Sequence, residues 1–148
     1  MKGGAYLLLI RLAEPLALSR FALTPGELVY LGSAKRGFGP RLLRHAKRLH
    51  GPPHSIYPAL KRRFPEARGT KRALFWHIDH LLEAPAAELY AALLFPGKTE
   101  AELLPWVLDL GAEVAAKGFG ASDTRAPSHL FRLPHSNLDR LSDAVWVR

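Results

Sequence analysis

Cysteine is absent from this sequence of 148 residues, and methionine occurs once. The absence of cysteine excludes disulfide bonds, zinc sites with cysteine ligands and catalysis by a thiolate. Long apolar runs are also missing, because Arg11 interrupts the run at 6–10. Such a run is too short for a signal sequence or a membrane span. We therefore expect a cytoplasmic protein without a membrane partner.

Acidic residues are scarce in one segment of the chain. Residues 35–72 hold twelve of the 21 lysines and arginines but a single acid, Glu66, which gives the segment a charge of +11 within a net charge of +8. The excess of positive charge is therefore concentrated in this segment and is not spread over the whole chain. A concentrated positive patch is typical of proteins that contact the phosphates of nucleic acids.

Short apolar runs bounded by turn residues predict the strands of a sheet. Residues 5–12 and 28–31 are two such runs, and the turn sequence at 24–27 indicates an antiparallel connection. Residues 88–95 predict a third strand, although their alanine content leaves a helix as the alternative. The remaining predicted strands are an edge strand within 16–23 and a last strand at 129–133.

Apolar periodicity and capping patterns predict about three helices. The first begins at Pro40, ends before Gly51 and carries its basic residues on one face. Thr99 followed by Glu102 is a capping-box pattern that opens a helix over 99–116. The other expected elements are a helix at 73–83, an irregular basic loop at 54–72 and a short helix near 138–142.

These elements predict one α/β domain of the α+β kind over residues 1–148. We expect a small, mostly antiparallel sheet of three to four strands flanked by about three helices. Residues from about 134 to 148 are expected to form a C-terminal extension of this domain.

Several short motifs occur in an order that resembles a known nuclease family. Gly4-Ala5-Tyr6 and Tyr30-Leu31-Gly32 lie on two predicted strands, and a helix with arginines and a helix with Glu102 near its start follow them. This order resembles that of the GIY-YIG nucleases. The closer resemblance is to a subfamily of uncharacterised small proteins, found alone or fused to endonuclease III, and it covers nearly the whole chain. The motifs that carry it are Tyr30 to Ala34, Arg41 to His45, Trp76 to Asp79, Gly118 to Gly120, Ser122-Asp123 and Ser128 to Phe131.

The resemblance implies hydrolysis of phosphodiester bonds in DNA or RNA, assisted by one divalent metal, Mg²⁺ or Mn²⁺, and a role in DNA repair. In this chemistry a carboxylate holds the metal, a basic group activates water and a guanidinium neutralises developing charge. Glu102 matches the metal-binding carboxylate of the family, and Tyr6 and Tyr30 match its signature tyrosines. Either Arg41 or Arg44 matches its helix arginine.

The partner that the positive patch and the resemblance both indicate is nucleic acid, with DNA favoured over RNA. An alternative function is a non-catalytic binding module with a nuclease-derived fold, and a third is a partner of a repair enzyme. The residues expected to contact nucleic acid are Lys35, Arg36, Arg44, His45, Lys47, Arg48, Lys61, Arg62, Arg63 and His77.

Two departures distinguish the chain from the family pattern. The gap between Tyr6 and Tyr30 is longer than in typical GIY-YIG nucleases, so an extra hairpin or loop is expected there. Thr124 and Ala126 stand where the subfamily often has cysteines.

Each candidate residue also has a structural interpretation. The tyrosines fit core or edge aromatics, Glu102 fits a helix cap, and the basic helix fits a solvated face. His77 and His80 beside Asp79 have a spacing that suits zinc, but such a pair is more often a surface or packing feature. The residue types of a hydrolase triad are present in Ser122, Asp123 and His129 without the Gly-x-Ser-x-Gly sequence that positions a nucleophile.

Overall fold

The computed structural model of the protein describes residues 3–68, 74, 76–120 and 128–148. Within these ranges six strands form one sheet in the order β6-β7-β4-β1-β5-β8, and each neighbouring pair is antiparallel. The strands are β1 (Gly4–Leu12), β2 (Leu16–Leu18), β3 (Phe21–Leu23), β4 (Gly26–Ala34), β5 (Ala87–Pro96), β6 (Glu113–Val114), β7 (Leu130–Arg132) and β8 (Val145–Val147). The helices are α1 (Phe38–Ala46), α2 (Tyr57–Arg63), α3 (His77–Glu83), α4 (Glu100–Asp109) and a 3-10 helix (His135–Arg140).

This architecture confirms the predicted mixed fold with an antiparallel sheet, although the sheet has more strands than expected. The extra strands are short and lie at the two edges, where β6 pairs with β7 and β8 pairs with β5. Strand β5 also confirms that residues 88–95 are a strand and not a helix. Its alanines at 91 and 92 are fully buried against β1, which favours extended backbone over their helical propensity.

Strand β1 lies inside the sheet, and both of its faces are covered. Its residues at 6, 8, 10 and 12 belong to one apolar core with α1, α2 and α3. Its residues at 5, 7 and 9 belong to a second core with α4 and the 3-10 helix. A strand buried on both faces has a continuous apolar run and not an alternating one, and this explains why β1 is predicted so directly from sequence.

The long gap between Tyr6 and Tyr30 is filled by the β2–β3 hairpin. The two strands pair only with each other and are joined by Ser19 and Arg20. Ser19 has a φ of 52°, which a non-glycine residue adopts at some cost, mostly in tight turns. The hairpin packs on α3 and does not extend the main sheet as an edge strand.

Two segments differ from their predicted structure. The basic stretch predicted to be an irregular loop contains the two-turn helix α2, because Pro58 occupies its second position and so begins the helix without breaking it. The helix predicted over 99–116 ends at Asp109. Gly111 has a φ of 94°, and the chain then turns back so that β6 pairs with β7.

Residues 134–148, expected to form an extension, contribute the 3-10 helix and β8. Leu138 is fully buried in the second core, and Val147 is buried where β8 pairs with β5. In the part of the chain that the structure describes, none of the helices combines the length and the apolarity that crossing a membrane requires.

Candidate active site

The two signature tyrosines lie side by side on one face of the sheet. Tyr6 pairs with Gly32 across β1 and β4, so Tyr30, two residues from Gly32, is its diagonal neighbour. A methyl group on Gly32 would stand 2.6 Å from both Cζ and Oη of Tyr6. The glycine of the second motif therefore provides the space in which the first phenol lies.

Replacement of Gly32 by alanine should displace the Tyr6 ring, because the added methyl group overlaps Cζ and Oη of the phenol. Overpacking of this kind typically costs about 1–3 kcal/mol. We expect a lower urea midpoint and, in an activity assay, a loss of turnover larger than the loss of stability explains. Ser33→Ala, on the next residue of β4, is the control and should leave both measurements nearly unchanged.

The hydroxyl of Tyr6 lies at the bottom of the site, where it meets a buried histidine and an arginine. It is 2.8 Å from Nε2 of His45, and Arg41 is close enough to act on its pKa. Burial raises the pKa of Tyr6 well above 10.0, Tyr30 and Glu100 raise it further, and Arg41 opposes them. Tyr6 is therefore a neutral phenol at neutral pH, and its hydroxyl can donate to His45.

The structure distinguishes the two candidate arginines of α1. Arg44 donates from Nη1 and Nη2 to the two carboxylate oxygens of Asp79 at 2.8 and 2.9 Å, and Asp79 is fully buried. This bidentate pair joins α1 to α3. Arg41 is exposed, and its guanidinium acts on Tyr6. Arg41 is thus the arginine of the site, and Arg44 holds the helices that position it.

Trp76 lies over both arginines at the start of α3. Its ring centroid is 5.2 Å from Cζ of Arg41 and 4.9 Å from Cζ of Arg44, within the range of cation–π contact. Its backbone N–H donates to Asp79, so the carboxylate that pairs with Arg44 also caps α3. This arrangement fixes the direction in which Arg41 leaves its helix.

The carboxylate near the phenols is Glu100 and not Glu102. Glu102 accepts from the backbone N–H and the hydroxyl of Thr99 at 3.1 and 3.2 Å, which completes the capping box, and its side chain is 48% exposed. Glu100 is 28% exposed, raises the pKa of Tyr6, and places Oε2 3.4 Å from Nδ1 of His129. Strand β5 ends at Pro96 beside the start of β1, which brings the first turn of α4 to this end of the sheet.

His129 and Gly120 close the site on the side of Tyr30. The ring of His129 is 6.4 Å from that of Tyr30, and its Nδ1 is 3.1 Å from the carbonyl oxygen of Leu31. Gly120 has a φ of 68°, and its backbone N–H donates to Nδ1 of His77 at 2.9 Å. We call the buried His129 imidazole and the two phenols the floor of the site, and the exposed Arg41 and partly exposed Glu100 its mouth.

The residues predicted to contact nucleic acid fall into two groups. The first group is buried and consists of Arg44, His45 and the side chain of Arg48. The Arg48 side chain is 7% exposed and donates hydrogen bonds to the carbonyl oxygens of Pro52 and Ala87. These three stabilise the fold around the site. Lys35, Arg36, Arg62 and Arg63 are exposed, Lys47 and Lys61 are half-buried, and the imidazole of His77 is held by Gly120.

The alternative sites of the sequence are not assembled by the described residues. Asp79, which stands beside His77 and His80 in a spacing that would suit zinc, is paired with Arg44. Within residues 3–68, 74, 76–120 and 128–148, no group of three or more histidine, aspartate or glutamate side chains has the arrangement to hold a metal ion. Ser122 and Asp123, which have the residue types of a triad without its surrounding motif, and Thr124 and Ala126 lie outside the described residues.

Comparison with known proteins places the chain in a family. Residues 5–146 match the family model described as a domain of unknown function, DUF123. The chain belongs to the DUF123 family. No curated protein and no solved structure matches it. The match of this DUF123 chain extends into β8, so the sheet as described, including its last strand, belongs to the family domain.

Neither Glu100 nor His45 was predicted from the sequence of this DUF123 domain to lie near Tyr6. His45 follows Arg41 by four residues, and that spacing places both side chains on one face of α1.

Proposed function

We propose that this DUF123 domain is a metal-dependent nuclease of the GIY-YIG type that hydrolyses phosphodiester bonds in DNA or RNA. The observation that carries the proposal is that the two phenols share one face of the sheet, with Tyr6 opposite Gly32, and that Glu100 reaches the same end of the sheet through His129, whose ring lies 6.4 Å from that of Tyr30. Tyr30, Arg41 and Glu100 all act on the pKa of the buried Tyr6 phenol. These residues come from four elements, β1, β4, α1 and α4, and Glu100 on α4 is far along the chain from the other three. A purely structural role for each of them would not require this meeting of two phenols, a guanidinium and a carboxylate.

The donor set at the mouth fits a divalent metal held mainly by water and substrate. Mg²⁺ is commonly bound through one or two carboxylates together with substrate phosphates and several waters. Glu100 offers one such carboxylate at the edge of the positive residues that would hold the phosphates. When bound, Mg²⁺ or Mn²⁺ would polarise a phosphate oxygen and stabilise the charge that develops on it.

The side chains of the site have separate tasks in the proposed reaction. The guanidinium of Arg41 neutralises charge on the phosphate as the oxygen of water bonds to phosphorus and the ester oxygen departs. Tyr30, at the surface of the floor, orients the attacking water. The water proton passes towards His45 through the neutral hydroxyl of Tyr6, 2.8 Å from Nε2 of that histidine. Tyr6 is therefore a positioning residue and a relay and does not act as a tyrosinate.

The experiment that tests the proposal is a cleavage assay with Mg²⁺ and with Mn²⁺ on branched, damaged, single-stranded and duplex DNA and on RNA. Metal-dependent product, abolished by chelator, supports it. Binding that persists in chelator with intact substrate would instead identify a non-catalytic nucleic-acid-binding module. Absence of both cleavage and binding, with capture of a repair enzyme, would favour the role of a partner protein.

The raised pKa of Tyr6 predicts a loss of stability at alkaline pH. A phenol whose pKa is higher in the folded state stabilises the fold fully below about pH 10, and this contribution is lost as pH rises towards the folded pKa. We expect the urea midpoint to fall between about pH 8 and about pH 11 by more in the natural protein than in Tyr6→Phe. Equal falls in the two proteins would show that Tyr6 ionises as easily in the fold as in the unfolded chain.

A further inference from the structure

A cavity beside the candidate site has no role in the chemistry described above. It lies between the β2–β3 hairpin and α3 and has a volume of about 230 Å³. We propose that it receives one nucleobase of the nucleic acid, next to the phosphate that is cleaved. This proposal rests on the proposed function for the position of the phosphate. The residues that line the cavity are Ala17, Leu18, Ser19, Phe21, His77 and His80.

The size and the lining of the cavity suit a single planar ring system. Its volume is below the roughly 300–1,000 Å³ of sites for drug-sized ligands. Phe21 and His77 bring two rings to its wall, with centroids 4.8 Å apart at an interplanar angle of 73°. Stacking on aromatic side chains is how proteins hold unpaired bases of either nucleic acid, because every base presents a π-face. The cavity therefore offers a base an apolar and aromatic environment.

One segment of the chain, Phe119 and Gly120, lies between the cavity and the Tyr30 phenol. Phe119 contacts the rings of both His77 and Tyr30, with centroid distances of 5.4 and 6.3 Å. Gly120 donates to His77, and a methyl group on Gly120 would stand 3.5 Å from the hydroxyl of Tyr30. Phe119 therefore connects a ring of the cavity wall with the Tyr30 phenol, and the proposal places the phosphate of the same nucleotide at Tyr30.

The charges around the cavity also favour a nucleotide. None of the six lining residues is acidic. Arg20, at the tip of the hairpin, places its guanidinium 4.6 Å from the centre of the Phe21 ring. Burial lowers the pKa of His77, and Arg20 and His80 lower it further, so this imidazole is neutral at pH 7. Because Nδ1 accepts from Gly120, the ring proton is on Nε2, where it can be donated to a polar edge of a base.

The proposal is tested by NMR titration of the histidine ring protons in the presence of chelator. The probe is thymidine 3′,5′-bisphosphate, and the control probe is the same sugar bisphosphate without a base. We expect saturable shifts of His77 and His80, with an affinity for the base-containing probe roughly tenfold higher than for the control. Contacts in NOE spectra between the Phe21 ring and the thymine protons should accompany the shifts.

A matched pair of variants locates the binding. His80→Ala removes an exposed imidazole from the cavity wall and should weaken binding of the thymidine probe, while His50→Ala removes one whose side chain is 91% exposed elsewhere and should not. Equal affinity for the two probes, or no shift at His77 and His80, overturns the proposal even when the protein cleaves nucleic acid. Base-dependent shifts in a protein without cleavage activity would uphold the cavity and overturn the nuclease function.

Discussion

Replacement of Glu100 by glutamine is expected to abolish metal-dependent cleavage while the fold remains intact. The substitution keeps the size of the side chain and one oxygen that can accept a hydrogen bond, but it removes the charge that would hold the metal at the mouth of the site. A metal ion supplies several kcal/mol of transition-state stabilisation, so we expect a loss of turnover on the order of a thousandfold. Glu100 is 28% exposed and packs into neither core, so the urea midpoint should change little.

Glu102→Gln is the matched control, two residues along the same helix. Glu102 and Thr99 form the capping box at the start of α4. Substitution of Glu102 should lower the free energy of unfolding by at most about 0.5–1 kcal/mol, and cleavage should be retained. The pair of variants separates a metal-binding carboxylate from a helix cap. If Glu102→Gln lost cleavage and Glu100→Gln retained it, the assignment of the carboxylate to Glu100 would be wrong.

Replacement of Asp79 by alanine is expected to have the largest effect on stability. Asp79 is fully buried. It accepts two hydrogen bonds from Arg44 and one from the backbone N–H of Trp76. Its loss leaves the Arg44 guanidinium buried without its carboxylate, a change that typically costs about 3–5 kcal/mol. Equilibrium unfolding in urea, followed by tryptophan fluorescence and circular dichroism, measures this cost.

Two comparisons test whether the buried charge causes the loss. Lys98→Ala removes one partner of the exposed pair Lys98–Glu102 and should cost about 0–1 kcal/mol. The double variant Arg44→Met with Asp79→Leu removes both buried charges and should recover much of the stability that Asp79→Ala loses. A double variant no more stable than Asp79→Ala would show that the carboxylate acts mainly as the cap of α3.

The two phenols were predictable from sequence because they depend on local pattern. Apolar runs define β1 and β4, and alternation along each strand then decides which residues share a face. Tyr6 and Tyr30 lie on such strands, and Gly32 beside them reports the close approach of the Tyr6 ring. The positive segment was also visible in the composition, although its buried members serve the fold.

The arginine and the carboxylate depend on packing that no local pattern records. The choice between Arg41 and Arg44 rests on the pairing of Arg44 with Asp79, 35 residues away, which exists only once α1 and α3 meet. The position at which α4 ends also depends on a distant contact, because β6 forms only when it pairs with β7 farther along the chain. Non-local pairings of this kind override the helical propensity of residues 110–116.

The order of strands in the sheet has a consequence for synthesis of the protein. The first of these strands to leave the ribosome, β1, becomes the neighbour of β4 and β5, whereas β7 and β8, which pair with the outer sides of β4 and β5, are made last. The sheet can therefore grow outward from its first strand, and both phenols are in place once β4 has paired. The edge of β5 stays open until Val147 has been translated, and over that interval an unpaired strand edge is exposed to other nascent chains.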